Sequence, residues 1–114
     1  MSKRELTLYL QDILTSILRI EDYTKDFSLN DLENDWKTID AVVRNLEILG
    51  EAARNIPEEA AEKYSDIPWG KMVSMRNKII HEYFGVDLDI LWKTIKEDLP
   101  VLKQQIEKII QEYT

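Results

Sequence analysis

Apolar residues recur at three- and four-residue steps along almost the whole chain, and that spacing leaves room for little except packed helices. Leu6, Leu10, Ile13, Ile17 and Ile20 form one stripe, widened by Leu14 and Leu18, and predict a first helix over about 4–24. Ser28 followed by Asp31 reads as a helix start. Leu32, Trp36, Ile39, Val43, Leu46, Gly50 and Ala53 then keep one seam, predicting a single second helix to about Asn55. Gly50 sits on that seam, so it marks a close helix crossing. Pro57 closes this helix, and Glu58-Glu59 opens a short turn through Tyr64.

Asp66-Ile67-Pro68 is a further start signal, with proline tolerated in the first turn. The third long helix is expected to carry Trp69, Met72, Val73 and Ile80 and to run to Gly85 as its C-cap. Asp87 caps the next helix, through Leu88, Leu91, Trp92 and Ile95; Pro100 kinks or restarts it. With three glycines and three prolines and no strand pattern, the expected fold is all-α. It is a bundle of four to five antiparallel up-and-down helices, in one domain over 1–114.

Hydrophobic residues make up 44% of the chain, enough for a core and against disorder. Apolar runs are too short for a membrane span, and the N-terminus does not read as a signal peptide. The absence of cysteine removes disulfides, thiolate zinc sites and cysteine nucleophiles. A cytoplasmic protein is the expectation. The net charge of −7 argues against coating nucleic acid through a broad basic face. Yet Lys71 to His81 carries Lys71, Arg76 and Lys78 and no acid.

That island holds the one histidine of the chain, within Arg76-Asn77-Lys78-Ile79-Ile80-His81-Glu82-Tyr83. Arginine offers a planar fork of donors to phosphate. Histidine is suited to proton transfer near neutral pH. On a continuous helix Asn77 and His81 share a face, so the amide can fix the imidazole tautomer. Arg76 and His81 would stand ~140° apart, which favours a second subunit completing the site. The plainer reading makes His81 a partner for a helix C-terminus and Arg76 an internal ion-pair partner. Arg44, Glu47, Glu51 and Arg54 form either a solvated salt-bridged stripe or a support in which a glutamate orients Arg76. Trp36, Trp69 and Trp92 read as core or interface anchors. No metal set, phosphate loop or nucleophile elbow is present in the pattern.

The octet is similar to the R-x4-H-x-Y signature of the HepT-like branch of HEPN domains. Ala41 to Ala53, Asp66-Ile67-Pro68-Trp69, His81 to Asp87 and Asp98-Leu99-Pro100 extend the resemblance in order across nearly the whole chain. The resemblance implies a homodimeric HEPN bundle acting as a metal-independent endoribonuclease toxin of a type II toxin–antitoxin pair. It implies Arg76 and His81 as the catalytic pair, Asn77 as an orienting residue and no cofactor. It also implies RNA as substrate and an MntA-type nucleotidyltransferase as antitoxin, which attaches AMP to Tyr83. Glu47 and Glu51 are the further candidate supporting residues. One histidine per chain cannot be acid and base at once, whereas two across a dimer axis can. The alternative is a non-catalytic HEPN subunit that binds a nucleotide or docks a nucleotidyltransferase. A third reading is an oligomeric scaffold with both residues in internal pairs.

Overall fold

The computed structural model describes residues 3–81 and 85–113, apart from the side chains of Lys3, Arg76, Ile80 and His81. It is all-α, as the apolar spacing requires. Helix α1 spans Lys3–Tyr23, α2 Leu29–Glu33, α3 Trp36–Arg54, α4 Glu58–Lys63 and α5 Trp69–Ile79. After a short hairpin come α6, Leu88–Lys93, a π-helical turn, Thr94–Asp98, and α7, Leu99–Glu112. Helix α3 is central, packed against α1 on one side and α5 on another, while α7 closes on α1. The α1 stripe is sealed: Leu10, Ile13, Ile17 and Ile20 meet Ile39, Val42, Leu46 and Leu49 in one buried core with Leu99, Leu102 and Ile106. Lys103 of α7 reaches Glu21 of α1 at 3.0 Å.

The second expected helix is two. Ser28 and Asp31 form the full capping box, but α2 lasts only five residues. The Asn34 amide bonds back to the Asn30 carbonyl at 2.8 Å, and Asp35 starts α3 by accepting from the Thr38 N–H at 3.0 Å. The break turns Trp36 outward; it is 60% exposed and is no core anchor. Trp69 and Trp92 do pack partly against the core.

The Thr38 backbone N–H, then the Thr38 hydroxyl, hold the Asp35 carboxyl below the usual aspartate range. A depressed folded-state value stabilises the fold above the ordinary aspartate range and is lost as pH falls through it. Asp35→Ala is therefore expected to lower the melting temperature at neutral pH. The gap to wild type should close under acid, read from thermal scans across that range.

At Gly50 α3 meets α5 at backbone distance. A Cβ there would stand 3.2 Å from the Met72 carbonyl oxygen and 3.8 Å from the Val73 Cα. The close crossing read from the seam is present.

The third long helix stops six residues earlier than Gly85. It ends at Ile79, and the chain turns into a two-residue antiparallel pairing, Ile80 with Val86 and His81 with Gly85. The Asp87 N–H closes the base of this hairpin on the Ile79 carbonyl at 2.7 Å. β-Branched Ile80, paired with Val86, favours extended backbone there. Gly85 does take a positive φ of 80°, but on the hairpin and not as a helix cap.

Pro100 has a local effect of its own. With no N–H to give and a ring that crowds the carbonyl four residues back, it cannot continue a regular helix. The chain widens just before it, and the Leu99 N–H donates five residues back, to Thr94. Helix α7 then starts with proline in its first turn.

Candidate active site and its family

Helix α5 ends at Ile79, so Arg76 lies in its last turn and His81 beyond it, on the first arm of the hairpin. The ~140° separation expected on a continuous helix therefore does not apply. Nor does the shared helical face of Asn77 and His81. Asn77 is exposed on α5, with His81 on extended backbone. The geometric argument for a second subunit falls with the helix; the chemical one, a single histidine per chain, stands. The side chains of Arg76 and His81, and Tyr83 altogether, lie outside the described residues.

Arg76 follows Met72 and Val73 by one helical turn, and these are the residues that Gly50 abuts. The α3–α5 contact thus sets the position of the α5 segment that carries Arg76. Glu47 precedes Gly50 by one turn on α3.

Glu47 and Glu51 sit on the expected ladder. Arg44 reaches Glu47 at 3.7 Å and Arg54 reaches Glu51 at 3.3 Å. Glu51 is well exposed, with Glu47 more enclosed. Both border an open groove of about 430 Å³ between α1 and α3, shared with Tyr9, Asp12 and Asn55.

A second groove lies against α5, and no single stretch of the sequence announces it. It has a volume of about 540 Å³ and is walled by α5, α6, the π-turn and α7. Met75, Lys78 and Ile79 enter it from the same turn of α5 that carries Arg76. Their spacing with Lys71 (positions 71, 75, 78) marks one helical face, the only sequence signal of this wall. Among the described residues no cluster of histidine and carboxylate side chains is placed to hold a metal ion. No helix among them is long and apolar enough to cross a membrane.

The comparisons with known proteins agree with this frame. The family model described as Ribonuclease HepT-like matches residues 13–109. The chain is 49% identical over 107 residues to a Thermococcus cleftensis protein named "Probable ribonuclease HepT", covering 94% of this chain and 97% of that one. It is 45% identical to "Putative RNase MJ1380" of Methanocaldococcus jannaschii, covering 94% and 98%. A third relative, "Gamma-glutamylcyclotransferase and putative RNase MJ0434" of the same organism, is 46% identical over 96% of this chain but only 50% of its own length. No solved structure gives a significant match. An all-α bundle, a model match over most of the chain and relatives matched along nearly their full length place this chain in the HepT-like ribonuclease family of HEPN domains.

Proposed function

We propose that this chain, as one domain over 1–114, is the cytoplasmic endoribonuclease toxin of a type II toxin–antitoxin pair and cuts RNA as a homodimer without a metal. The observation that carries the reading is the family match over 13–109, which contains the whole Arg76-to-Tyr83 motif. Cleavage by internal transesterification needs three things. A base takes the proton of the ribose 2′-hydroxyl, whose oxygen then bonds to phosphorus. A cation steadies the crowded phosphorane. An acid protonates the departing 5′-oxygen as the P–O5′ bond breaks. One His81 serves as base and the second copy's as acid, while the two Arg76 guanidinium groups fork onto the phosphorane. Asn77, and Glu47 or Glu51, hold these groups in orientation.

An MntA-type nucleotidyltransferase is the proposed antitoxin, moving AMP from ATP to the Tyr83 hydroxyl with release of pyrophosphate. The added bulk and negative phosphate would repel RNA from a small cationic site.

The net charge of −7 favours a second reading, a non-catalytic subunit that binds a nucleotide or docks a nucleotidyltransferase. Purified protein incubated with cellular RNA in excess EDTA separates the two. The expected result is undiminished cleavage leaving 2′,3′-cyclic phosphate and 5′-hydroxyl ends. A folded dimer that cuts no RNA supports the second reading, and cleavage abolished by EDTA overturns the metal-free chemistry.

A further inference from the structure

Helix α5 stops before His81, which removes the partner that a continuous helix would have given the imidazole. Asn77 stays on α5, exposed, while His81 continues on extended backbone. A general base with its lone pair on one ring nitrogen needs the proton held on the other. The hairpin offers a different residue for that task.

Its register decides which. Ile80 pairs with Val86 and His81 with Gly85. Paired residues in an antiparallel ladder share a face, and so do residues two apart along one strand. Asp87 keeps extended backbone, at φ −79° and ψ 100°. His81, Gly85 and Asp87 therefore lie on one face of the hairpin, with Ile80 and Val86 on the other. Asp87 is the diagonal neighbour of His81. Such neighbours stand about 7–8 Å apart, a gap that a ring and a carboxylate reaching toward each other can close. Gly85, directly opposite His81, puts no side chain between them. No described atom lies within 4 Å of where its Cβ would stand.

Asp87 is also held firmly. Its N–H closes the hairpin on the Ile79 carbonyl at 2.7 Å, which ties it to the end of α5. Its Oδ1 accepts from the Ile90 N–H at 3.1 Å, which ties it to α6. An ionised carboxylate has two accepting oxygens, so this cap uses only part of its capacity.

We infer that Asp87 is the positioning residue of His81: the hairpin register sets its carboxylate to accept the Nδ1 proton of the imidazole and leaves Nε2 to act on RNA. This rests on the ribonuclease reading above. In the copy acting as base, Nε2 takes the proton of the 2′-hydroxyl. In the copy acting as acid, Nε2 gives its proton to the departing 5′-oxygen. Nδ1 keeps its proton in both, and Asp87 stays ionised.

Capping α6 and positioning His81 can be separated. Asparagine and serine cap a helix about as well as aspartate. In asparagine, however, the cap takes the one carbonyl oxygen. The amide then turns a donor toward the imidazole and favours the opposite tautomer. Serine keeps the cap and has no carboxylate at all.

The test uses untagged protein, in which His81 is the one histidine and its ring signals stand alone in NMR spectra. In Asp87→Asn the imidazole titration midpoint should fall by about 1 pH unit, because a neighbouring carboxylate favours the charged ring. The ring nitrogen shifts should move from the Nδ1–H form toward Nε2–H. The kcat for RNA cleavage should drop about 10²-fold, with KM and melting temperature near wild type. Asp87→Ser should lower the midpoint and kcat likewise. Arg76, Lys78, Glu82, Asp89 and Lys93, the other charges nearby in the chain, are common to all three proteins, so the difference belongs to Asp87. An unmoved midpoint and tautomer overturn the inference. If cleavage is then unchanged, the ribonuclease reading stands without Asp87; if it falls together with the melting temperature, Asp87 is only a cap. A shifted midpoint with wild-type kcat also overturns the positioning role. A shifted midpoint and tautomer in a protein that cuts no RNA keep the Asp87–His81 pair and overturn the ribonuclease reading instead.

Discussion

His81→Ala is expected to lower RNA cleavage by about 10³–10⁴-fold, because in the proposed symmetric site it removes both the general base and the general acid. Arg76→Ala should cost about 10²–10³-fold, the scale of losing one preorganised stabiliser of a charged transition state. Arg76→Lys should recover only part of that, since an ammonium keeps the charge without the bidentate fork. Stability should hardly move, because the end of α5 is anchored by the fully buried Ile79 and by the Asp87 N–H on its carbonyl. Cleavage rates with thermal melts on the same samples check both halves, and induced expression should show that either alanine variant relieves growth arrest. Mixed dimers then test the shared site. If one chain's His81 is acid to the other's base, a wild-type/His81→Ala dimer is nearly inactive. If each chain works alone, it keeps half the activity and the composite site is wrong. The pH profile adds a further mark. A pair of histidines in opposite protonation states gives a bell-shaped profile, which a single titrating group does not.

What could be read from the sequence followed the range of the interactions. Helix α1 was legible because its stripe is local and unbroken, from Leu6 to Ile20. The capping box at Ser28 was legible for the same reason. The break at Asn34-Asp35 was not, because Leu32, Trp36 and Ile39 preserve helical spacing across it. Only the Asp35 cap and the Asn34 back-bond mark the interruption. The end of α5 was misplaced by six residues. No glycine or proline intervenes before Gly85, and the closing hydrogen bond comes from Asp87, after the turn. The site inherits the difference: the ~140° between Arg76 and His81 belongs to a continuous helix, and this one stops at Ile79. The motif itself needed no such geometry, being recognisable from residue types in order. The mixed-charge groove draws its walls from positions as far apart as Asp66 and Gln105, so no window of sequence contains it.

Gly50→Leu is expected to be the most damaging single change to the fold away from the catalytic groups. A Cβ alone would lie 3.2 Å from the Met72 carbonyl oxygen and 3.6 Å from that of Val73. Both neighbours are backbone, so no side chain can swing aside, and α5 itself must move away from α3. Overpacking of this kind costs about 1–3 kcal/mol, and leucine, with three further carbons aimed at a helix backbone, belongs at or above the top of that range. Gly50→Ala is the sensitive comparison. Alanine gains about 1 kcal/mol of helix propensity over glycine and loses a similar amount to the close contact, so its unfolding midpoint should stay near wild type. Activity should part company with stability in that variant. Arg76 is one turn beyond Met72 and Val73, and an outward shift of α5 carries it away from its proposed place at the scissile phosphate. Misplacement by about 1 Å can cost as much as 10²-fold in rate. Urea denaturation and cleavage assays on the alanine and leucine variants read the two effects separately. An alanine variant with wild-type kcat would show that α5 absorbs the methyl group without moving its last turn. A leucine variant with the wild-type midpoint would contradict the tight α3–α5 crossing itself.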